Sequence, residues 1–379
     1  AAMEAFEGSM ALAQDLHRRE PGRLDWLFEL GQTQFWVGYG HWERGQLDNA
    51  LEHFEAYLAT GRKLAAAEPD NPTYAMEVAY GHDNVGRAHQ ARGATPTALK
   101  HFESHSDTLR ALASSQPDQA RWRSELAQGV THLGRVRAAD GDLDSALASY
   151  REGIEILEGL VAETPERLDW KERLGTGFYF LGEGLSHSGQ HAEASLLFQR
   201  QLDVATDLAD QDPANTRWTY HRATAQGALA AVYRELGDAD QQAEYANAAA
   251  DLLDRLLAGD DSKRSWRRQR ALAGLEVAWG LGRRGRLEAA RAEAATSLEV
   301  LEGLVADRRT GRAANPDTAL NAARAHLMLG DLLAADQAGK AQSHWHRSRE
   351  LSLQWDGHAA HAEVIRRAAE RLHPQGEKP

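Results

Sequence analysis

The 379-residue chain contains no cysteine. That absence excludes disulfides, thiolate metal sites and a cysteine nucleophile. No apolar run approaches the roughly 18 residues a membrane-spanning helix needs. The first ten residues carry Glu4 and Glu7 and no basic segment, so they do not read as a secretory signal, and the expected compartment is the cytoplasm. Positive charge is also short: 43 Lys and Arg stand against 56 Asp and Glu, a net charge of −13. An acidic chain is a poor wholesale binder of phosphate backbones. The phosphate-loop, nucleophile-elbow and HExxH motifs are missing too, which removes the commonest signatures of nucleotide, acyl-transfer and zinc chemistry. The glycine-rich stretch GTGFYFLGEG (175–184) lies within a helical pattern, and its glycines read as close-packing positions, not a dinucleotide loop.

What the chain does have is a period. Trp26, Tyr74, Trp122, Trp170, Trp218 and Trp266 are each 48 residues apart. Nineteen residues after each stands a glycine: Gly45, Gly93, Gly141, Gly189, Gly237 and Gly285. Twelve residues after each stands a small residue: Gly38, Gly86, Gly134, Gly182, Ala230 and Ala278. Five residues before the first five stands a proline (Pro21, Pro69, Pro117, Pro165, Pro213), and Asp261 takes the sixth place. Such self-similarity marks a repeat architecture.

Within one repeat the apolar positions run Trp122, Leu126, Val130, Leu133, then Leu143, Ala146, Leu147, Tyr150, Ile154, Leu157, Val161. Steps of three and four are the signature of amphipathic helices. The glycine between the two runs suits a left-handed residue closing the first helix. Thr95-Pro96 reads as an N-cap followed by proline at the first helical position, and the repeat-end proline reads as the stop of the second helix. Each repeat is therefore helix, short turn, helix, with no strand pattern in the chain. The expected fold is all-α, with about 15–16 helices of about 17–20 residues.

Gly134 with Ala146, covered by Tyr150, would let the helices of a repeat approach closely. Leu133-Gly134, Gly141, Ala146, Tyr150 recurs as Val85-Gly86, Gly93, Ala98, Phe102 and as Leu181-Gly182, Gly189, Ala194, Phe198. This small–small–aromatic pattern resembles the tetratricopeptide repeat, whose usual unit is about 34 residues. The resemblance covers nearly the whole chain and implies an α-solenoid of stacked antiparallel helix pairs in a right-handed superhelix. The departures are the longer unit and Gln242 at the small position of the fifth repeat.

The expected organisation is one array over 1–373. Residues 1–19 read as the second helix of a repeat, since Ala2 and Phe6 precede Ala50 and Phe54 by 48. That half repeat implies that upstream sequence, including an effector domain, is missing. Full repeats follow at about 22–68, 70–116, 118–164, 166–212, 214–260, 262–306 and 314–357. Leu329-Gly330 stands four residues out of step, the surplus falling near Asp307–Pro316 with Arg308, Arg309 and Arg312. Residues 359–372 read as a polar-faced capping helix and 374–379 as a polar tail.

If the resemblance holds, the first helices line a concave groove. Three of their phases vary from repeat to repeat. One runs Phe35, Asp83, Thr131, Tyr179, Gly227, Leu275; another Tyr39, Arg87, Arg135, Glu183, Ala231, Trp279; a third Trp42, Gln90, Ala138, Ser186, Arg234, Gly282. The candidate partner-binding residues are Phe35, Tyr39, Trp42, Asp83, Arg87, Arg135, Tyr179, Glu183, Arg234 and Trp279. Variation there suits individually adapted contacts to a peptide or partner protein, or else plain solvent exposure. The aromatic segment 35–42 offers anchors of the kind that dominate interfaces; equally, it could pack against an upstream helix. Five tryptophans (Trp36, Trp42, Trp279, Trp345, Trp355) fall outside the 48-residue series.

Between Ser262 and Arg312 twelve Lys and Arg face six Asp and Glu, net +6 in a chain whose remainder is −19. Arg267, Arg268 and Arg283 form the core of this basic patch, which suits an acidic peptide or, as the alternative, nucleic acid. Pairs such as His101/His105, His187/His191 and His358/His361 lack metal-site spacing with acidic partners. No cofactor, metal, membrane or enzymatic activity is expected. The reading is a protein–protein interaction scaffold or sensor region of a larger, bacterial signalling protein.

Overall fold

The computed structural model describes residues 2–306, 316–354 and 359–372. Every regular element among them is an α-helix. They are α1 (Ala2–Arg19), α2 (Leu24–Glu43), α3 (Leu47–Ala67), α4 (Pro72–Ala91), α5 (Thr95–Ser115), α6 (Ala120–Asp140), α7 (Leu143–Glu163) and α8 (Leu168–His187). Then follow α9 (His191–Gln211), α10 (Thr216–Leu236), α11 (Ala239–Gly259), α12 (Arg264–Arg283), α13 (Leu287–Ala306), α14 (Pro316–Leu333), α15 (Ala338–Leu353) and α16 (Ala359–Leu372). The starts of α2, α4, α6, α8, α10 and α12 fall 48 residues apart, as do those of α3, α5, α7, α9, α11 and α13. Trp355, His358, Arg308, Arg309, Arg312 and the tail 374–379 lie outside the described residues.

Local chemistry sets these boundaries. Gly141 closes α6 at φ 92°, where a side chain would crowd the backbone, and the glycines at the same place in the other five turns are also left-handed. Asn71, Asp142, Asn215 and Asp238 cap α4, α7, α10 and α11, each side chain accepting from a first-turn N–H. Thr95 does not cap α5: Ala94 holds the N-cap position and Thr95 is already helical. Pro96 still fits there, because the first-turn N–H it lacks has no helical partner anyway. Nor is proline needed to stop a second helix. α11 ends two residues before Asp261, the same phase at which α3, α5, α7 and α9 end before proline. Asp260 accepts from Ser262 N–H at that end and fixes the turn instead.

The small-residue seam is steric. A Cβ on Gly38 or Gly86 would lie 2.8 Å from the ring of Phe54 or Phe102, and one on Gly134 would lie 2.6 Å from Tyr150. The last pair repeats the arrangement with Gly330 under Trp345, so the four-residue surplus is absorbed before α14 and the pairing recovers its phase. Ala50, Ala98, Ala146, Ala194, Ala290 and Ala341 are fully buried across this seam. The chain forms two compact units, Ala1–Gly184 and Leu185–Pro379, with the division inside α8. In the first, α2 with α3, α4 with α5, and α6 with α7 make antiparallel pairs, and each pair packs on the next. In the second, α10–α11, α12–α13 and α14–α15 do the same, and α16 packs on α15 through Val364 and Ala368. There α10, α12, α14 and α16 also pack in succession, more closely than any second-helix pair does among the described residues. The second unit therefore bends toward its first helices.

Candidate partner-binding surface

The aromatic segment of α2 divides its rings among three neighbours. Phe35 packs on Phe54 and Tyr57 of α3, at 6.3 and 5.8 Å between ring centroids. Trp42 joins the same buried cluster with Leu51 and Val85. Trp36 stacks on Phe6 of α1 at 5.8 Å. Tyr39 is left on the surface, stacked on Phe35 and bonded to Glu43, which raises its phenol above the ordinary range. Of the three rings predicted to share a face, Tyr39 is thus the outward one, with the half-buried Phe35 and Trp42 supporting the helix beneath.

The corresponding phases of α4, α6 and α8 carry charge. Arg87 is exposed and pairs with Asp83 one turn earlier at 3.4 Å. Asp83 also faces His132 of α6 at 3.7 Å. Burial holds His132 below the usual histidine range, although Asp83 pulls the other way. Arg135 lies over the Phe180 ring of α8 at 5.0 Å, and Tyr179 donates to Glu183 at 2.6 Å. Tyr39, Arg87, Arg135 and Glu183 occupy one phase of four consecutive first helices, and the first three are exposed.

In the second unit the same phases are drawn inward. Leu275 is buried in the core around α14. Arg234 is half-buried and binds Glu276 of α12 at 2.5 Å. Burial opposes its charge, but Glu276 and Glu235 hold the guanidinium above its usual range. Glu276 itself is pushed up by burial, against the pull of Arg234 and of Gln242, whose amide donates to it. Gln242, the residue that broke the small-position pattern, fills its place as part of this polar network. Trp279 carries Arg283 at 5.7 Å from its ring.

Much of the basic patch is spent internally. Arg270 bonds Asp254 and Glu293, Arg284 faces Asp240, and Arg291 bonds Glu288, Asp336 and the Leu332 carbonyl. Arg267, Arg268 and Arg283 form no ion pair among the described residues, and Arg267 and Arg283 are exposed.

The sequence reading missed two histidine sites, whose members stand 244 residues (His82, His326) and 243 residues (His101, His344) apart, off the 48-residue period. His82 of α4 faces His101 of α5, Nδ1 to Nδ1 at 3.2 Å, and its Nε2 faces Arg62 at 3.2 Å. His326 of α14 faces His344 of α15 at 2.9 Å, and its Nε2 faces Glu302 at 3.0 Å. Arg62 and Glu302 are 240 residues apart, five periods. The same place thus holds a donor in one copy and an acceptor in the other. Arg62 can only donate, so His82 Nε2 accepts and the ring carries its proton on Nδ1. Burial, Arg62 and His101 lower His82 to about 4. Glu302 accepts, so His326 carries a proton on Nε2. Burial holds His326 down while Glu302 works against it. Among the described residues no group of three or more His, Asp and Glu could hold a metal ion, and no helix is long and apolar enough to cross a membrane.

No family model matches the sequence, nor does any curated protein. Solved structures do match. The apo form of RapI superposes with a TM-score of 0.60 at 10% identity, covering 100% of this chain and 99% of that one. BtubC (BKLC) from P. vanneervenii superposes at 0.51 and 14% identity, covering 69% and 92%. Helix pairs at a constant spacing through α13, a glycine under an aromatic at the α2–α3, α4–α5, α6–α7 and α14–α15 seams, and these superpositions agree: by fold, the chain is a tetratricopeptide-like helical-repeat solenoid.

Proposed function

We propose that the chain is a protein-interaction scaffold that holds a peptide or partner protein against its first helices. The observation that carries this reading is the contrast between columns. Seam positions keep their residue type in most copies, as with the glycine or alanine at 38, 86, 134, 182, 230 and 278, while the outward phase changes through Tyr39, Arg87, Arg135 and Glu183. A repeat that only needed solubility has no reason to place an aromatic ring, two guanidiniums and a carboxylate in one row. Such a row suits an extended or helical segment with an apolar residue near α2 and acidic residues toward α4 and α6. The reading extends to a scaffold or sensor region of a larger signalling protein, with the effector supplied by another domain. It assigns no catalytic role.

The test is selection of peptides from a displayed library on the full chain. Enriched peptides should carry an aromatic or aliphatic anchor and acidic residues. Tyr39→Ala should weaken their binding by about tenfold or more, as loss of an interface anchor does. Arg87→Glu with Arg135→Glu should abolish the acidic preference, with helicity unchanged by circular dichroism. Equal binding by all variants would return these residues to the solvated surface. The nucleic-acid alternative predicts steeply salt-dependent RNA or DNA binding that requires Arg267, Arg268 and Arg283.

A further inference from the structure

The column that contains Ser106 is apolar in the other full copies through α13: Leu58, Ile154, Leu202, Ala250 and Leu298. Ser106 is 1% exposed, and its hydroxyl has no hydrogen-bond partner. A buried helical serine ordinarily bonds a carbonyl one turn back; this one does not. It lines a half-open cavity of about 210 Å³ between α5, α6 and α7. Leu133 and Ser149, both buried, complete the floor.

The rim is charged. Arg110 binds Glu152 through two bonds of 3.0 and 3.1 Å and Asp107 at 2.7 Å. Arg137 binds Glu103 at 2.9 Å and Ser149 at 3.0 Å. Three carboxylates therefore surround two guanidiniums, leaving one negative charge uncompensated. The carboxylates are partly solvent-facing, at 37–73% side-chain exposure, whereas the hydroxyl lies at the bottom. A site for a drug-sized ligand occupies about 300–1,000 Å³, so this one is the size of a single side chain.

We propose that the cavity is a binding site for one cationic group, the guanidinium or alkylammonium of a partner's arginine or lysine. The cation supplies the missing positive charge at the rim, its N–H donors reach free carboxylate lone pairs, and Ser106 Oγ accepts from the deepest of them. The guanidiniums that already hold the rim carboxylates fix their positions before the ligand arrives. The second helices α5 and α7 supply six of the eight lining residues. The site is therefore separate from the Tyr39–Glu183 row and does not depend on it.

The test titrates the full 379-residue chain with N-acetyl-arginine amide, and with the neutral isostere N-acetyl-citrulline amide, by protein-observed NMR. Saturable shifts in α5–α7 with a Kd of roughly 1 mM are expected for the arginine probe, with the citrulline probe at least about tenfold weaker. Ser106→Leu installs the side chain found in three other copies. It should raise Tm while weakening the arginine probe by about tenfold or more. Glu152→Gln, at the exposed rim, should weaken it without altering the fold. No saturable binding, equal binding of both probes, or binding undiminished by either variant would overturn the proposal. So would Ser106→Leu lowering Tm or failing to fold, because the space would then not exist.

Discussion

At the scale of single residues, neighbouring space decides what a glycine is for. Gly134 sits where an added Cβ would meet the Tyr150 ring and the Ala146 carbonyl oxygen at 3.1 Å. Gly159, four residues before the end of α7, has nothing within 4 Å. Gly134→Ala should therefore destabilise by about 1–3 kcal/mol through overpacking. Gly159→Ala should stabilise by about 0.5–1 kcal/mol through helix propensity. Urea titration of the two variants checks the opposite signs. The period pointed to Gly134, and the column of Gly159, which carries Lys63, Asp207 and Arg255 in other copies, marks its side as open.

Protonation follows the same local logic. His82 titrates near 4 in the fold, below the roughly 6.5 of an unfolded histidine. The folded value is depressed, so the neutral ring stabilises the native state above about pH 6.5, and that contribution is lost as pH falls toward 4. The loss should amount to about 2–3 kcal/mol. Arg62→Gln should raise the midpoint seen in ring-carbon NMR titration, because the guanidinium no longer opposes the proton. A midpoint unmoved by Arg62→Gln would show that desolvation alone sets it. The histidine pairs escaped the sequence reading because their partners lie on three different helices. Only the columns, five periods apart, tie Arg62 to Glu302.

At the scale of helices, boundaries were legible where a residue's chemistry acts on its own turn. The left-handed glycines needed no tertiary context. The proline stop was half the story: α11 ends in phase on an aspartate turn, so the packing of the next pair dictates the end and proline only agrees with it. Tertiary context also absorbed Arg234, which stood in a surface-looking phase but braces α10 against α12 through Glu276. Arg234→Met should cost about 3–5 kcal/mol by leaving a buried carboxylate unpaired. Its stability should fall more steeply than wild type as pH rises above about 4.5, since Glu276 must then ionise without its partner. The double variant Arg234→Met/Glu276→Leu should recover most of the loss. Failure to recover would mean the bridge contributes more than it costs to bury.

At the scale of the whole molecule, helices within each unit touch chain neighbours or the next helix but one. Opening should then be graded. Hydrogen exchange on the 379-residue chain should protect α6, packed between α5 and α7, more strongly than the terminal α1, which packs on α2. Uniform protection would imply one cooperative block. The architecture could be read from the sequence because each repeat restates it; the row Tyr39, Arg87, Arg135, Glu183 could be read only as a departure from that restatement. The Ser106 cavity was present in the same columns, as the one hydroxyl among aliphatic side chains.

Contacts confined to near neighbours also have a mechanical meaning. Tension applied along either unit is borne in series, helix pair after helix pair, as in a coiled spring. The left-handed glycine inside each of the six pairs from α2–α3 to α12–α13 is the compliant joint, since it can swing its backbone without a side chain colliding. A ligand seated across several helices would stiffen that spring, and an optical-tweezers trace would record the change as a higher force at the first rip.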